Sequence, residues 1–147
     1  MRQLALLSAL AVLAFGAAGA SGARLPGVKT PSRNISCFFI PDWPTERGVL
    51  LCHIKVALYL GRLQTNCLDG PGLDWRGFTL PWRGKAQVFC AGGIMHDPFD
   101  KLMFSVVGYG KTWHFAPFTC TMRTTGLTCV NASGHGMFLS RETWRVW

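Results

Sequence analysis

Residues 118–130 read FTCTMRTTGLTCV, a pattern typical of paired β-strands. Two runs of β-forming residues, each with one cysteine, flank the turn-prone segment Arg123-Thr124-Thr125-Gly126. This order is typical of a β-hairpin, and a Cys120–Cys129 disulfide would cross it. The segment therefore predicts two antiparallel strands joined covalently.

A second hairpin of the same design is predicted at residues 34–54, which read NISCFFIPDWPTERGVLLCHI. Its two β-rich flanks each carry one cysteine, so we expect a Cys37–Cys52 bridge. The two remaining cysteines, Cys67 and Cys90, then pair by elimination. An even cysteine count in an exported chain of this size favours such a disulfide framework.

The N-terminal residues 1–23 have the order of a secretory signal peptide. Arg2 supplies a positive start, and residues 4–15 form an apolar run of helical character. Small residues follow, with Ala18-Gly19-Ala20 or Ser21-Gly22-Ala23 as alternative cleavage sites. We therefore expect secretion to the cell envelope or beyond, with no transmembrane anchor after cleavage.

Length and composition limit what the rest of the chain can be. The 147 residues fit one domain, and a hydrophobic content of 49% excludes a wholly disordered chain. Fifteen Lys and Arg residues stand against seven Asp and Glu, which gives a formal net charge of +8. Such a charge attracts anionic polymers in general. Because no nucleic-acid reader motif is present, we expect no nucleic-acid partner.

The remaining chain is predicted to be an all-β domain. We divide it into a polar leader at residues 24–33 and a single disulfide-rich β domain at 34–147. Short β-rich runs separated by Gly and Pro predict a small disulfide-stapled sandwich or barrel of antiparallel strands. The segment from Ile54 to Leu63 fits either a strand or a short helix.

Several motifs together resemble an uncharacterised family of small secreted bacterial proteins, known only as a domain of unknown function. The resemblance covers about residues 30–147. Its most specific part is Gly134-His135-Gly136-Met137-Phe138-Leu139-Ser140-Arg141. The chain departs from the family pattern at Gly93, where an Asp is usual, and at Met137, where a Phe is usual. The resemblance implies export, disulfides and a shared fold, and it implies no known reaction.

The glycine-flanked His135 is the main candidate for catalysis. Together with Ser140, five residues later, it suggests a small secreted hydrolase. Against this, no nucleophile elbow is present, and a His between two glycines equally fits a tight turn held by backbone hydrogen bonds. We favour the turn. Neither a C-x-x-C pair nor finger-type histidine spacing occurs, so we expect no metal site and no cofactor.

Aromatic and cationic residues are the main candidates for binding. Trp75-Arg76 and Trp82-Arg83 each place an aromatic ring beside a guanidinium, a pairing that suits a sugar or an anion. Filling of the core is the alternative role for these tryptophans. The full set of candidate ligand-binding residues is Trp43, Trp75, Arg76, Trp82, Arg83, His135 and Arg141.

The sequence therefore favours a binding or interaction module over an enzyme. The expected partner is an anionic envelope polymer, a glycan, or a secreted or surface protein. A small hydrolase using His135 and a protein inhibitor are the alternatives.

Overall fold

The computed structural model describes residues 26–42, 47–65, 67, 73–92 and 104–147. The predicted signal peptide at residues 1–23 and the candidate residue Trp43 lie outside these ranges. Within the described residues, no helix is long and apolar enough to cross a membrane.

Short strands dominate the described chain. They are β1 (Gly27–Lys29), β2 (Ile35–Ile40), β3 (Val49–Ile54), β4 (Leu73–Pro81), β5 (Gln87–Gly92), β6 (Ser105–Val106), β7 (Thr112–Phe115), β8 (Phe118–Arg123), β9 (Gly126–Val130), β10 (Gly136–Leu139) and β11 (Trp144–Val146). One short helix, α1 (Leu60–Thr65), follows β3. The predicted all-β class is confirmed.

The strands form two sheets that pack as a sandwich. Sheet A has six strands in the order β5-β4-β3-β2-β1-β6, and sheet B has five in the order β11-β10-β9-β8-β7. All strand pairs are antiparallel except the short β1–β6 pair. Both predicted hairpins are present, as the β2–β3 and β8–β9 pairs.

The core lies between the sheets, and β8 shows the alternation between core and solvent most clearly, whereas β2 and β3 each hold four consecutive buried residues. In β8, Phe118, Cys120 and Met122 are buried, whereas Thr119 and Thr121 are half-buried. Buried residues of both sheets belong to one apolar cluster, which includes Leu50 and Phe78 from sheet A and also Leu127 and Met137 from sheet B.

All three predicted disulfides are present: Cys37–Cys52, Cys67–Cys90 and Cys120–Cys129. The first and third each join residues directly opposite one another in a strand pair. They also meet in the core, since the sulfur atoms of Cys37, Cys52 and Cys129 lie within 4.8 Å of one another. By the chain-entropy model, each bridge contributes about 3 kcal/mol to stability.

The structure differs from the sequence prediction at the start of the domain. Strands were expected from Asn34, but β1 begins at Gly27 and lies in sheet A between β2 and β6. The reason is Val28, which is only 1% exposed and belongs to the main core cluster. Part of the predicted polar leader therefore belongs to the folded domain, as strand β1. In the ambiguous segment after β3, the helix is the conformation adopted from Leu60, and Tyr59 and Leu63 are buried there.

Two glycines offer a test of this packing. Gly126 begins β9 with φ of 146°, and a Cβ there would lie 2.6 Å from the Leu139 carbonyl oxygen. Gly61 lies in α1 with open space around its Cα. We expect Gly126→Ala to lower the free energy of unfolding by about 1–3 kcal/mol. The matched change Gly61→Ala should leave it unchanged or raise it by up to about 1 kcal/mol. Urea unfolding measures both, and equal values would contradict the close contact at Gly126.

Candidate functional site

A cleft of about 300 Å³ opens at one end of the sandwich. We call this end the cleft end. It gathers five connections from both sheets: the β1–β2 loop, the residues after β3, the β6–β7 connection, the β8–β9 turn and the β10–β11 turn. The volume is at the lower limit of those usual for small-ligand sites.

Two arginines, Arg123 and Arg141, line the cleft, one at the β8–β9 turn and one in the β10–β11 turn. Both side chains are exposed. Within the described part of the chain, neither forms an ion pair. Glu142 is the single carboxylate among the residues that line the cleft. Because a guanidinium stays charged at every accessible pH, the cleft holds a lasting excess of positive charge.

Hydroxyl and amide groups make up most of the remaining polar lining. They belong to Thr30, Ser32, Asn34, Tyr109, Thr124 and Thr125. The loop that carries the first three is well fixed. The Thr30 Oγ1 donates to the Ile35 carbonyl oxygen at 3.3 Å, and the Asn34 side chain forms two 2.9 Å hydrogen bonds with the backbone of Val56. The β1–β2 side of the cleft is thus held in place by hydrogen bonds.

The turn that carries Arg141 is also fixed, and Ser140 fixes it. The Ser140 Oγ donates to the Thr143 carbonyl oxygen at 3.1 Å and accepts hydrogen bonds from the backbone N–H groups of Glu142 and Thr143. Ser140 is also buried, at 4% exposure. Its hydroxyl therefore stabilises a turn and is not presented to a substrate.

Tyr59 connects this turn to sheet A. Its hydroxyl donates to the Ser140 carbonyl oxygen at 2.9 Å, and the N–H of Leu58 donates to the Arg141 carbonyl oxygen at 2.8 Å. Tyr59 is 1% exposed. Burial raises the pKa of its phenol far above the ordinary value, and the negative charge of Glu142 raises this pKa further. The two sheets are therefore held together next to the cleft.

Asn131 has the corresponding role at the opposite end of the sandwich, which we call the Asn131 end. Its Nδ2 donates to the carbonyl oxygens of Pro81 and Gly84, both at 2.9 Å. Its Oδ1 accepts from Ser133 and from the N–H of His135. Asn131 is 5% exposed. One buried amide thus orders the β9–β10 loop and joins it to the β4–β5 loop of sheet A.

His135 lies in that loop, and its backbone has the turn role considered from the sequence. Its N–H donates to Asn131 Oδ1, its carbonyl oxygen accepts from the Asn131 N–H, and Gly134 before it has φ of 77°. The imidazole forms no hydrogen bond with any residue that the structure describes. Strand β10 separates His135 from Ser140, a distance of about 16 Å for five extended residues. The structure does not bring these two residues together.

The other sequence candidates are distributed over the molecule. Trp82 is half-buried at the Asn131 end, where its ring packs edge-on against Phe118 at 6.4 Å, and Arg83 beside it is exposed. Trp75 and Arg76 belong to β4, and their side chains lie outside what the structure describes. Of the predicted ligand-binding residues in the described part, only Arg141 lines the cleft.

Sequence reasoning missed Arg123, Tyr109 and the hydroxyl groups of the cleft. A signal for Arg123 was available, since it stands in the turn of the first predicted hairpin. Nothing in the sequence shows that this turn lies beside the loop before β2, because the two are far apart along the chain.

The described surface as a whole is basic. Eleven Lys and Arg side chains are described, against the carboxylates of Asp42 and Glu142. Comparisons with family models, curated proteins and solved structures find no match.

Asn131 provides a test of the link between the sheets. We expect Asn131→Ala to lower the free energy of unfolding by about 2–4 kcal/mol, because it leaves buried carbonyl groups without donors. Asn131→Asp should be at least as damaging, since a carboxylate oxygen would replace the donor that faces those carbonyls. Thermal and urea unfolding measure both. If Asn131→Asp were neutral, the donor role assigned to Nδ2 would be wrong.

Tyr59 predicts a pH dependence. Its folded-state pKa is raised, so the folded protein retains a proton that the unfolded chain loses above about pH 10. The stability that this group contributes is therefore present below pH 10 and is lost as the pH rises beyond it. We expect the wild type to lose more free energy of unfolding between pH 8.5 and 11 than Tyr59→Phe does. If the free energy of unfolding depended on pH in the same way in both proteins, the raised pKa assigned to Tyr59 would be wrong.

Proposed function

We propose that this protein is a binding module that acts outside the cell and captures an anionic glycan in the cleft. The observation that carries the proposal is the presence of Arg123 and Arg141 in one cleft without an ion-pair partner among the described residues. Two free guanidinium groups at one site favour a sulfate, phosphate or carboxylate group, which accepts their planar pairs of hydrogen bonds.

The hydroxyl groups of the cleft support a glycan over a bare anion. Thr124 and Thr125 lie beside Arg123 in the β8–β9 turn, and the exposed Ser32 lines the cleft from the β1–β2 loop. Such groups donate and accept hydrogen bonds, as the hydroxyl groups of a sugar do. Tyr109, which is 44% exposed, adds an aromatic face at the same opening. A charged group on a sugar therefore meets both cationic and polar partners.

The same contacts favour binding over hydrolysis. The Ser140 hydroxyl is occupied by three hydrogen bonds, and β10 keeps it away from His135. Nucleophilic catalysis requires a nucleophile and a base within hydrogen-bond reach of each other. Binding of an anionic glycan does not require a nucleophile beside a base, and it needs only cationic groups at the site.

Three disulfides and the predicted signal peptide support an extracellular location for this activity. Bridges of this kind form and persist in oxidising compartments. Outside the cell, charged polysaccharides are abundant ligands for a basic protein, and the resemblance to small secreted bacterial proteins is in keeping with this role.

The test uses the disulfide-bonded protein and heparin as a sulfated glycan, with neutral dextran and polyglutamate as comparison polymers. We expect Arg123→Gln and Arg141→Gln each to weaken heparin binding about tenfold. Arg47→Gln removes the same charge from an exposed position near the other end and is the matched control. It should change the affinity by less than about twofold. Isothermal titration calorimetry at physiological salt gives the affinities.

Three results would contradict the proposal. Equal losses in Arg47→Gln and Arg123→Gln would mean that net charge alone drives binding. Equal affinity for polyglutamate and heparin would mean that the sugar groups of heparin do not contribute to binding. A loss in Arg83→Gln without one in Arg123→Gln would transfer the site to the Asn131 end.

A further inference from the structure

The outer face of sheet B carries two rows of neighbouring residues, one across all five strands and one across β7 to β10 that ends at Trp147, the residue after β11. Registers between neighbouring strands place them side by side. The first row is Thr112, Thr121, Thr128, Phe138 and Arg145. The second row is His114, Thr119, Val130, Gly136 and Trp147. We call this surface the threonine face.

The threonine face is open in the described structure. Thr112, His114, Arg145 and Trp147 are exposed, and the threonines of β8 and β9 are half-buried. Polar groups occupy the β7 side, where Thr112 and Thr121 approach at 3.3 Å and His114 approaches Thr119 at 3.2 Å. Aromatic rings occupy the β11 side. The rows hold a guanidinium and no carboxylate.

The aromatic side is preorganised. The Trp147 Nε1 donates to the Gly134 carbonyl oxygen at 3.1 Å, and the Arg145 guanidinium lies 5.6 Å from the centre of the Phe138 ring. A shallow hollow of about 630 Å³ follows β11 and is lined by Trp144, Arg145, Val146 and Trp147. A flat ring held in a fixed orientation beside such a hollow is suited to stacking on a sugar.

The threonine face is continuous with the cleft through β8. In this strand the side chains that point away from the core are Thr119, Thr121 and Arg123, about 6.8 Å apart in sequence order. Arg123 therefore belongs to both surfaces. Gly126 pairs with Arg123 in the β8–β9 register. This glycine lines the cleft and lies against the Phe138 ring.

We propose that the ligand is a linear anionic polysaccharide, which occupies the cleft with one charged sugar and continues across the threonine face. This inference rests on the proposed function and extends it to the length and shape of the ligand. The face is about 19 Å wide, since five strands are separated by about 4.8 Å. Several sugars of an extended chain fit that width, with hydroxyl groups on the threonines and ring faces on Trp147.

Charge favours this occupant over a second copy of the chain. The face and the cleft carry Arg145, Arg123 and Arg141, and a symmetric contact between two such faces would bring like charges together without a compensating carboxylate in the rows. An anionic chain neutralises all of them. It also replaces water on the threonines with sugar hydroxyl groups, which retain the hydrogen bonds.

The experiment compares a heparin disaccharide with long heparin chains, and it reports the affinity of each variant relative to the wild type. Trp147→Ala removes the ring, and Thr121→Val with Thr128→Val removes two hydroxyl groups while keeping the β-branched shape. We expect each to weaken binding of the long chains about tenfold and to leave the disaccharide within about twofold. Trp147→Phe should restore most of the affinity. Thr79→Val, on a half-buried strand position of sheet A, is the matched control.

The outcomes separate this inference from the proposed function. If Arg123→Gln weakens both ligands while the face variants weaken neither, the cleft binds anions and the extended site is refuted. If the face variants weaken the disaccharide as much as the long chains, the face does not act as an extension. If the wild type binds neither ligand, both proposals fail. Analytical ultracentrifugation showing a dimer that Trp147→Ala dissociates would assign the face to a second copy instead.

Discussion

The structure depends on two cross-strand disulfides, one in each sheet, that meet in the centre of the sandwich. Cys37–Cys52 fixes the β2–β3 register of sheet A, and Cys120–Cys129 fixes the β8–β9 register of sheet B. A one-residue slip in either pair would move every core side chain of a strand to the opposite face of its sheet. Because the sulfur atoms of Cys37, Cys52 and Cys129 also lie within 4.8 Å of one another across the interface, the bridges fix how the sheets face each other as well as how their strands pair.

Polar contacts complete the alignment at both ends of the sandwich. Tyr59 joins sheet A to the β10–β11 turn, and Asn131 joins the β4–β5 and β9–β10 loops. Both side chains are buried, so their hydrogen bonds form away from competing water. A cleft built from loops of two different sheets keeps its shape only if the sheets cannot slide. The contacts of Tyr59 thus hold Arg141 at a fixed position relative to the β1–β2 loop.

The sequence predicted the hairpins well because their signals are local. Each hairpin combines β-forming flanks, a turn segment and two cysteines within about two dozen residues, and the third bridge followed by elimination. The strand at Gly27–Lys29 was missed because its few residues carry no alternation, and its place is set by pairing with β2 and burial of Val28. The cleft was missed because its residues come from five separate connections, which only the sheet order brings together.

The most distinctive sequence motif of the chain shows that an unusual combination of residues can result from the geometry of the backbone. In Gly134-His135-Gly136, the first glycine has a positive φ, and a Cβ on the second would lie 2.3 Å from the Cys129 carbonyl oxygen. The requirement for glycine thus comes from the backbone around Asn131, and Ser140 later in the motif holds a turn. Arg141 is the motif residue whose side chain reaches the cleft, and it does so because Ser140 shapes the turn before it. The motif thus combines a turn fixed by hydrogen bonds with an exposed cation that forms no ion pair among the described residues, and these are the two features on which the proposed anion site depends.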